Sequence, residues 1–121
     1  MERTRFIEHK GKRILLLDYH GVRDPAEALR EIAHSRSVVA QQPPNSLRVM
    51  TVVRDARYNS EILAAMKDLA AHNAPYVRAS AIVGMSGLHR VAYQTIILFT
   101  RRTIKVFNEE AEALDWLVEQ D

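Results

Sequence analysis

The 121-residue chain contains no cysteine, which excludes a disulfide framework, a thiol nucleophile and any zinc site built on thiolates. It also has no long apolar segment. The apolar run from Ile96 to Phe99 is far too short to cross a membrane. Because Met1 to Arg5 leads into no apolar segment, we predict no signal peptide and expect a cytoplasmic location.

The composition that remains is typical of a small globular protein, with 47% hydrophobic and 26% charged residues. A chain of this length can bury a core without covalent links and fits a single domain. We find no internal repeat, no low-complexity tract and no linker in it. We therefore predict one domain over residues 1–121.

The two signs of charge are unevenly distributed along the chain. Six of the 15 acidic residues follow Asn108, with no Lys or Arg among them, so the remaining nine face 17 basic residues, a net charge of +8. This imbalance has two interpretations, an anionic partner or an acidic last helix folded over a basic surface. The basic residues are scattered rather than clustered, so we expect no nucleic-acid binding.

The hydrophobic pattern alternates between strands and helices along nearly the whole chain. It predicts strands at residues 6–9, 13–19, 47–53, 77–83 and 103–107, and helices at 25–40, 60–72, 88–100 and from 108 onward. Lys10-Gly11-Lys12 separates the first two strands as a hairpin turn. The order β-β-α-β-α-β-α-β-α predicts an α/β fold with a mainly parallel sheet, one antiparallel edge strand and four helices.

The helix starts carry recognisable capping residues. Asp24 followed by Pro25 is a strong start signal for the first helix. We predict Ser60 and Asn108 as caps of the second and last helices. The last helix is expected to bury Ala111, Leu114, Leu117 and Val118, with Trp116 nearby.

The element order and four local segments resemble the STAS domain, and within it the small bacterial SpoIIAA-like (STAS/SEC14-like) proteins. The segments are Lys10 to Asp18, Asn73 to Val77, Ala81 to Leu88, and Phe107 with Ala113 to Leu117. None of them is a catalytic motif. The resemblance implies a STAS-like fold and a role in bacterial regulation through protein contacts, as in anti-anti-sigma factors.

The chain departs from the regulatory STAS domains at one turn. There the family has an Asp-Ser-Ser-Gly type of turn whose serine is phosphorylated, whereas this chain reads Asp55-Ala56-Arg57-Tyr58-Asn59-Ser60. Ser60 is the one serine at that place and hence the candidate phosphorylation site. A helix N-terminus would stabilise a phosphate, but the same geometry suits an ordinary helix cap.

A second turn, Gly84-Met85-Ser86-Gly87-Leu88, approaches the G-x-S-x-G pattern of hydrolases without matching it, since Leu88 replaces the last glycine. His89 lies too close in sequence to Ser86 to act as its base. The alternatives are a cap provided by Ser86 or a small-anion site near Gly87, His89 and Arg90 at the start of the next helix.

Two acidic residues follow buried strands and would meet at the carboxyl edge of the sheet. Asp18 and Asp55 would form an acid–base or cation site there, or pair with Arg23, Arg54 or Arg57, which is the commoner arrangement. The five histidines show no metal-binding spacing, so we predict no metal and no cofactor.

The predicted helix at 88–100 is apolar on more than one face. The last helix, a second copy of the chain in a homodimer, or a hydrophobic ligand would each cover the additional apolar residues.

We therefore predict a non-enzymatic STAS-like module that binds a protein partner. The alternative is a small-ligand or lipid-binding protein with its site at the carboxyl edge of the sheet or under the 88–100 helix. The predicted contact surface consists of Asp55, Arg57, Tyr58, Asn59, Ser86, Gly87, His89 and Arg90.

Overall fold

The computed structural model describes residues 2–57, 59–85 and 104–120. In this part the chain forms five strands and three helices: β1 Thr4–His9, β2 Lys12–Asp18, α1 Pro25–Ala40, β3 Leu47–Val52, α2 Ser60–Asn73, β4 Val77–Val83, β5 Ile104–Phe107 and α3 Glu110–Glu119. The helix predicted at 88–100 lies outside the described residues. None of the three described helices is long and apolar enough to cross a membrane.

The strands form one mixed sheet in the order β1-β2-β3-β4-β5. β1 pairs with β2 in antiparallel fashion and the other pairings are parallel, as predicted. His9 pairs with Lys12, so the hairpin loop has two residues, Lys10 and Gly11, with φ angles of 49° and 79°. Two positive φ angles are typical of the tight hairpin turn that matches the twist of the strands.

The sheet has a helical layer on each of its two faces. Leu15 and Leu17 of β2 belong to the core beneath α1 and α2, while Ile14 and Leu16 belong to the core beneath α3. Successive side chains of a strand point to opposite faces, so a strand covered on both faces needs an unbroken apolar run. This double cover explains the apolar sequence of β2.

The helix α3 is held at its end by basic side chains from the sheet. Lys12 Nζ donates to the Val118 carbonyl at 2.8 Å, and Arg48 Nη2 donates to the Gln120 carbonyl at 2.9 Å. Cations at a helix C-terminus also interact favourably with the helix dipole.

Earlier in α3, Asp115 Oδ1 lies 2.8 Å from His9 Nε2 and 3.0 Å from Lys10 Nζ, and these hydrogen bonds lower the pKa of Asp115. These contacts favour the second interpretation of the charge imbalance, an acidic helix on a basic surface.

The start of α3 differs from the prediction. Glu109, not Asn108, occupies the cap position, and it forms no side-chain cap hydrogen bond. The Asn108 carbonyl accepts a hydrogen bond from Arg54 at 2.7 Å, which ties this residue to the turn after β3, and the helix is capped one residue later. Ala113 and Leu117 are the buried residues of α3, whereas Ala111, which we predicted to be buried, is exposed.

Three buried hydroxyl groups connect the first two strands with α1. Ser35 Oγ lies 2.7 Å from Thr4 Oγ1 and 2.6 Å from the Tyr19 hydroxyl. Ser35 is fully buried, and burial raises the pKa of Tyr19 well above its usual range, so this hydroxyl keeps its proton. A buried hydroxyl group is costly unless it has a hydrogen-bond partner, and here each has one, so the three residues fix α1 against the sheet.

Replacing Ser35 with alanine is expected to lower the free energy of unfolding by about 2 kcal/mol, because it leaves two buried hydroxyl groups without their shared partner. Tyr19→Phe retains the bond between Thr4 and Ser35 and should cost about 1 kcal/mol. Urea denaturation measures both changes. Ser37→Ala, at an exposed position of the same helix, is the control. An equal loss for Ser35→Ala and Ser37→Ala would contradict the role of the hydroxyl chain.

Candidate functional site

The carboxyl edge of the sheet is formed by the turns that follow the four parallel strands. The Tyr19 amide donates to the Val52 carbonyl at 2.9 Å, and the Val53 amide donates to the Val83 carbonyl at 2.9 Å. The Gly84 amide continues this pattern with a 3.1 Å bond to the last residue of β5. Backbone hydrogen bonds therefore continue past the ends of the strands and fix the relative positions of the turns.

Arg54 lies at the centre of this edge. Its carbonyl accepts from the Gly21 amide at 2.9 Å, and its Nη2 atom donates to the Asn108 carbonyl at 2.7 Å. Its Cα and Cβ atoms pack directly on Gly84, where an added Cβ would lie 2.8 Å from Arg54 Cβ. Arg54 therefore connects the turns after β2, β4 and β5.

The turn after β3 presents two charged side chains to solvent. Asp55 has a φ of 60°, a left-handed conformation that Asp tolerates better than most residues. The Arg57 amide donates to the Val22 carbonyl at 2.9 Å, which holds the turn against the loop before α1. Asp55 and Arg57 are both exposed. Their charged side chains therefore extend from a turn whose backbone is held by hydrogen bonds.

The two acidic residues that we predicted at this edge both contact His20. Asp18 Oδ1 accepts from the His20 amide at 3.1 Å, and Asp55 Oδ2 lies 3.7 Å from His20 Nε2. The arginine partner of Asp18 is Arg5, at 3.7 Å. We had named Arg23, Arg54 or Arg57, and that prediction was wrong for Asp18, because the antiparallel pairing of β1 with β2 places Arg5 beside it.

Arg3 is a residue of this edge that sequence reasoning missed. Its guanidinium donates to the carbonyls of Asp18 and His20, at 3.2 and 3.0 Å, and lies 3.5 Å from Glu27 of α1. It thus holds the loop after β2. Within residues 2–57, 59–85 and 104–120, no group of three or more His, Asp or Glu side chains is arranged to hold a metal ion.

The start of α2 corrects the role we predicted for Ser60. Asn59 is the cap: its backbone is extended and its Oδ1 accepts from the Ile62 amide at 2.8 Å. Ser60 is the first helical residue and is exposed. The longer Asn side chain, one position earlier, reaches the free amide of the first turn, so the Ser60 hydroxyl is not needed there.

Asn59→Ala is expected to lower the free energy of unfolding by about 1 kcal/mol, the usual cost of losing a capping side chain. Ser60→Ala should change it by less than about 0.5 kcal/mol, as an exposed substitution does. Chemical denaturation of the two variants tests the assignment. A larger loss for Ser60→Ala than for Asn59→Ala would return the capping role to Ser60.

The remaining predicted surface residues are Tyr58, Ser86, Gly87, His89 and Arg90. They lie outside the described part of the chain, and so does the whole segment 88–100. Their assignment to the contact surface stays a prediction from the sequence.

Two small cavities lie in the core on the side of the sheet that α1 and α2 cover. One, of about 20 Å³, lies between α1 and α2 with Arg57 at its margin, and the other, of about 40 Å³, lies between α2 and the sheet near Ile104. A single water molecule needs roughly 10–15 Å³ of such volume. These cavities therefore have room for one or a few water-sized groups.

The chain was compared with curated proteins, with solved structures and with models of protein families. No curated protein matches the chain. Among solved structures it is similar to an uncharacterized protein from Shewanella loihica with a SpoIIAA-like fold, at a TM-score of 0.73 and 16% identity, over 94% of this chain and 91% of the other. At this identity the likeness concerns the fold. The model of the SpoIIAA-like family matches residues 4–118, which is nearly the whole sequence. The chain therefore belongs to the SpoIIAA-like family, and its STAS-like fold is the one that the sequence resemblance predicted.

Proposed function

We propose that the chain is a non-enzymatic interaction module that binds a partner protein through the carboxyl edge of its sheet and the start of α2. The observation that carries the proposal is the combination of exposed polar side chains with a fixed backbone. Asp55, Arg57 and Asn59 are exposed, while the turn beneath them is held by backbone hydrogen bonds to neighbouring loops. A surface already held in one conformation loses little entropy on binding.

The side chain that we expect to contribute most to binding is Arg57. It forms no ion pair with any residue in the described ranges, and arginine is enriched at protein interfaces because it combines charge, planar stacking and several donors. Asp55, in contrast, has His20 beside it at 3.7 Å. We therefore expect an acidic group of the partner opposite Arg57.

We propose further that Ser60 is not a phosphorylation switch in this chain. The turn from Asp55 to Ser60 lacks the Ser-Gly pair of the regulatory STAS domains. Intact mass after incubation with kinases of the source organism tests this, with Ser60→Ala as the control. An added phosphate on the wild-type chain that is absent from the variant would contradict the proposal and support a phosphorylation switch.

Within the described residues, the two cavities in the core support a protein partner rather than a lipid. At about 20 and 40 Å³ they are far smaller than the several hundred Å³ of typical ligand sites. Native mass spectrometry of the purified chain distinguishes the two functions. A small molecule retained on the folded chain would favour the ligand-binding alternative, and an unliganded mass agrees with the interaction module.

The absence of cysteine permits a direct test of the contact surface. A photo-crosslinker attached to Ser60→Cys reports from the carboxyl edge, and the same crosslinker on Arg78→Cys, an exposed position near the start of β4, reports from the opposite edge. We expect the Ser60 probe to capture a protein from lysate of the source organism in competition with unlabelled chain. Equal capture by both probes, or capture that excess unlabelled chain does not reduce, would contradict the proposal.

A further inference from the structure

The outer surface of the α1–α2 layer contains a shallow groove between the two helices, with a volume of about 210 Å³. Ile32 and Leu69 are the buried residues in its lining, and Leu29 and Ala65 are partly buried. Arg36 of α1 and Asp68 of α2 complete the lining together with Ala33. The groove thus has an apolar floor and one charge of each sign.

Both helices carry exposed small residues, of which Ala33 lines the groove. Ala26 and Ala33 of α1 are exposed, as are Ala64 and Ala71 of α2. Small side chains allow other helices to approach to the interaxial distance of 8–10 Å at which helices pack. The layer therefore presents a surface on which two further helices can lie.

The two charges of the groove are unpaired in the described structure. Arg36 and Asp68 are exposed, and neither forms an ion pair with the other or with any other described residue. α1 connects β2 to β3 and α2 connects β3 to β4, all parallel neighbours, so the two helices run in the same direction. The groove thus carries a positive charge on its α1 side and a negative charge on its α2 side.

We propose that this face is the interface of a two-fold symmetric dimer of the chain. A two-fold axis along the groove places α1 of each copy over α2 of the other. Arg36 then lies opposite Asp68 of the partner subunit, and the same pair forms a second time on the other side of the axis. In a two-fold symmetric interface the same surface of both copies is in contact. Each charge of the groove therefore pairs with the opposite charge of the other copy.

The two kinds of contact have different roles in this dimer. The apolar floor and the alanines supply the buried area, and the two ion pairs fix the register and exclude the arrangement in which like charges meet. The groove is lined by residues 29–36 of α1 and 65–69 of α2, whereas the proposed partner contact lies at the carboxyl edge and the first residues of α2.

Sedimentation velocity over a range of protein concentrations tests the dimer through a charge reversal and its rescue. Arg36→Asp and Asp68→Arg should each weaken self-association by about tenfold or more, because each places two like-charge pairs at the interface. The double variant, which restores two opposite-charge pairs, should return to within about threefold of the wild type. Arg78→Asp, on the opposite edge of the sheet, is the control and should have no effect.

The outcomes decide the proposal in either direction. Loss on each single reversal with recovery in the double variant supports it. A wild-type chain that stays monomeric up to millimolar concentration overturns it, and so does a dimer that tolerates both single reversals or that the double variant fails to restore. Circular dichroism of each variant confirms that the fold is intact, and Ala33→Arg, which places bulk and charge in the groove, should also dissociate the dimer.

Discussion

Gly84→Ala is expected to lower the free energy of unfolding by about 3 kcal/mol, measured by chemical denaturation. Gly84 has a φ of 86°, where a residue with a Cβ is strained by roughly 1–2 kcal/mol. The added Cβ would also lie 2.8 Å from Arg54 Cβ and 3.1 Å from the Arg54 Cα and N atoms. Backbone cannot move aside as a flexible side chain can, so the substitution pushes apart the turns of the carboxyl edge.

Two other glycines provide matched controls for this prediction. Gly21 and Gly11 have φ angles of 70° and 79°, but an added Cβ meets nothing within 4 Å at either position. Gly21→Ala and Gly11→Ala should therefore cost only the conformational strain, about 1 kcal/mol each. If all three variants lose the same stability, the close packing of Arg54 on Gly84 does not hold the edge together.

Leu117→Ala is expected to cost about 3 kcal/mol of unfolding free energy. Leu117 is fully buried in the core beneath α3, among residues of β2, β3 and β4. Truncating it leaves a cavity where α3 meets the sheet. Leu114→Ala, at a half-buried position of the same helix, should cost about 1 kcal/mol.

Urea denaturation of the two leucine variants measures the difference. Equal losses for Leu117→Ala and Leu114→Ala would contradict the account in which α3 covers the second face of the sheet through Leu117. The basic side chains that hold the end of α3 act through main-chain carbonyls, so neither substitution removes them.

Much of the fold is predictable from the sequence because local signals and tertiary structure agree. The apolar run of β2 predicts a strand covered on both faces, and the structure places α1 and α2 on one side and α3 on the other. Asp24 and Pro25 predict the start of α1, and the observed helix begins at Pro25. The hairpin turn at Lys10 and Gly11 is also where the pattern places it.

The features that sequence reasoning missed depend on partners far away in the chain. β1 begins at Thr4, two residues before its predicted start, because Thr4 pairs with Leu17 of β2, and its hydroxyl also forms a hydrogen bond with Ser35 of α1. Ser35 itself lies three residues after Ile32 and four before Val39, on the buried face of α1, and that spacing was the available signal.

The candidate site shows the same division between local and distant determinants. Its location at the carboxyl edge follows from the strand order, and Asp55 and Arg57 are exposed there. Asn59 and Ser60 are both suitable caps by residue type, and only the backbone conformation shows that Asn59 is the cap. The central position of Arg54 could not be predicted from the sequence, because Arg54 contacts three turns that are far apart in sequence.

The central claim is that the carboxyl edge binds a protein partner through Arg57. Its most direct test is the dissociation constant of the partner captured by the Ser60 probe, measured by isothermal titration for the wild type, Arg57→Glu and Arg78→Glu. We expect Arg57→Glu to raise the dissociation constant by about tenfold or more and Arg78→Glu to change it by less than about twofold. Equal effects of the two reversals, or none from Arg57→Glu, would contradict the claim.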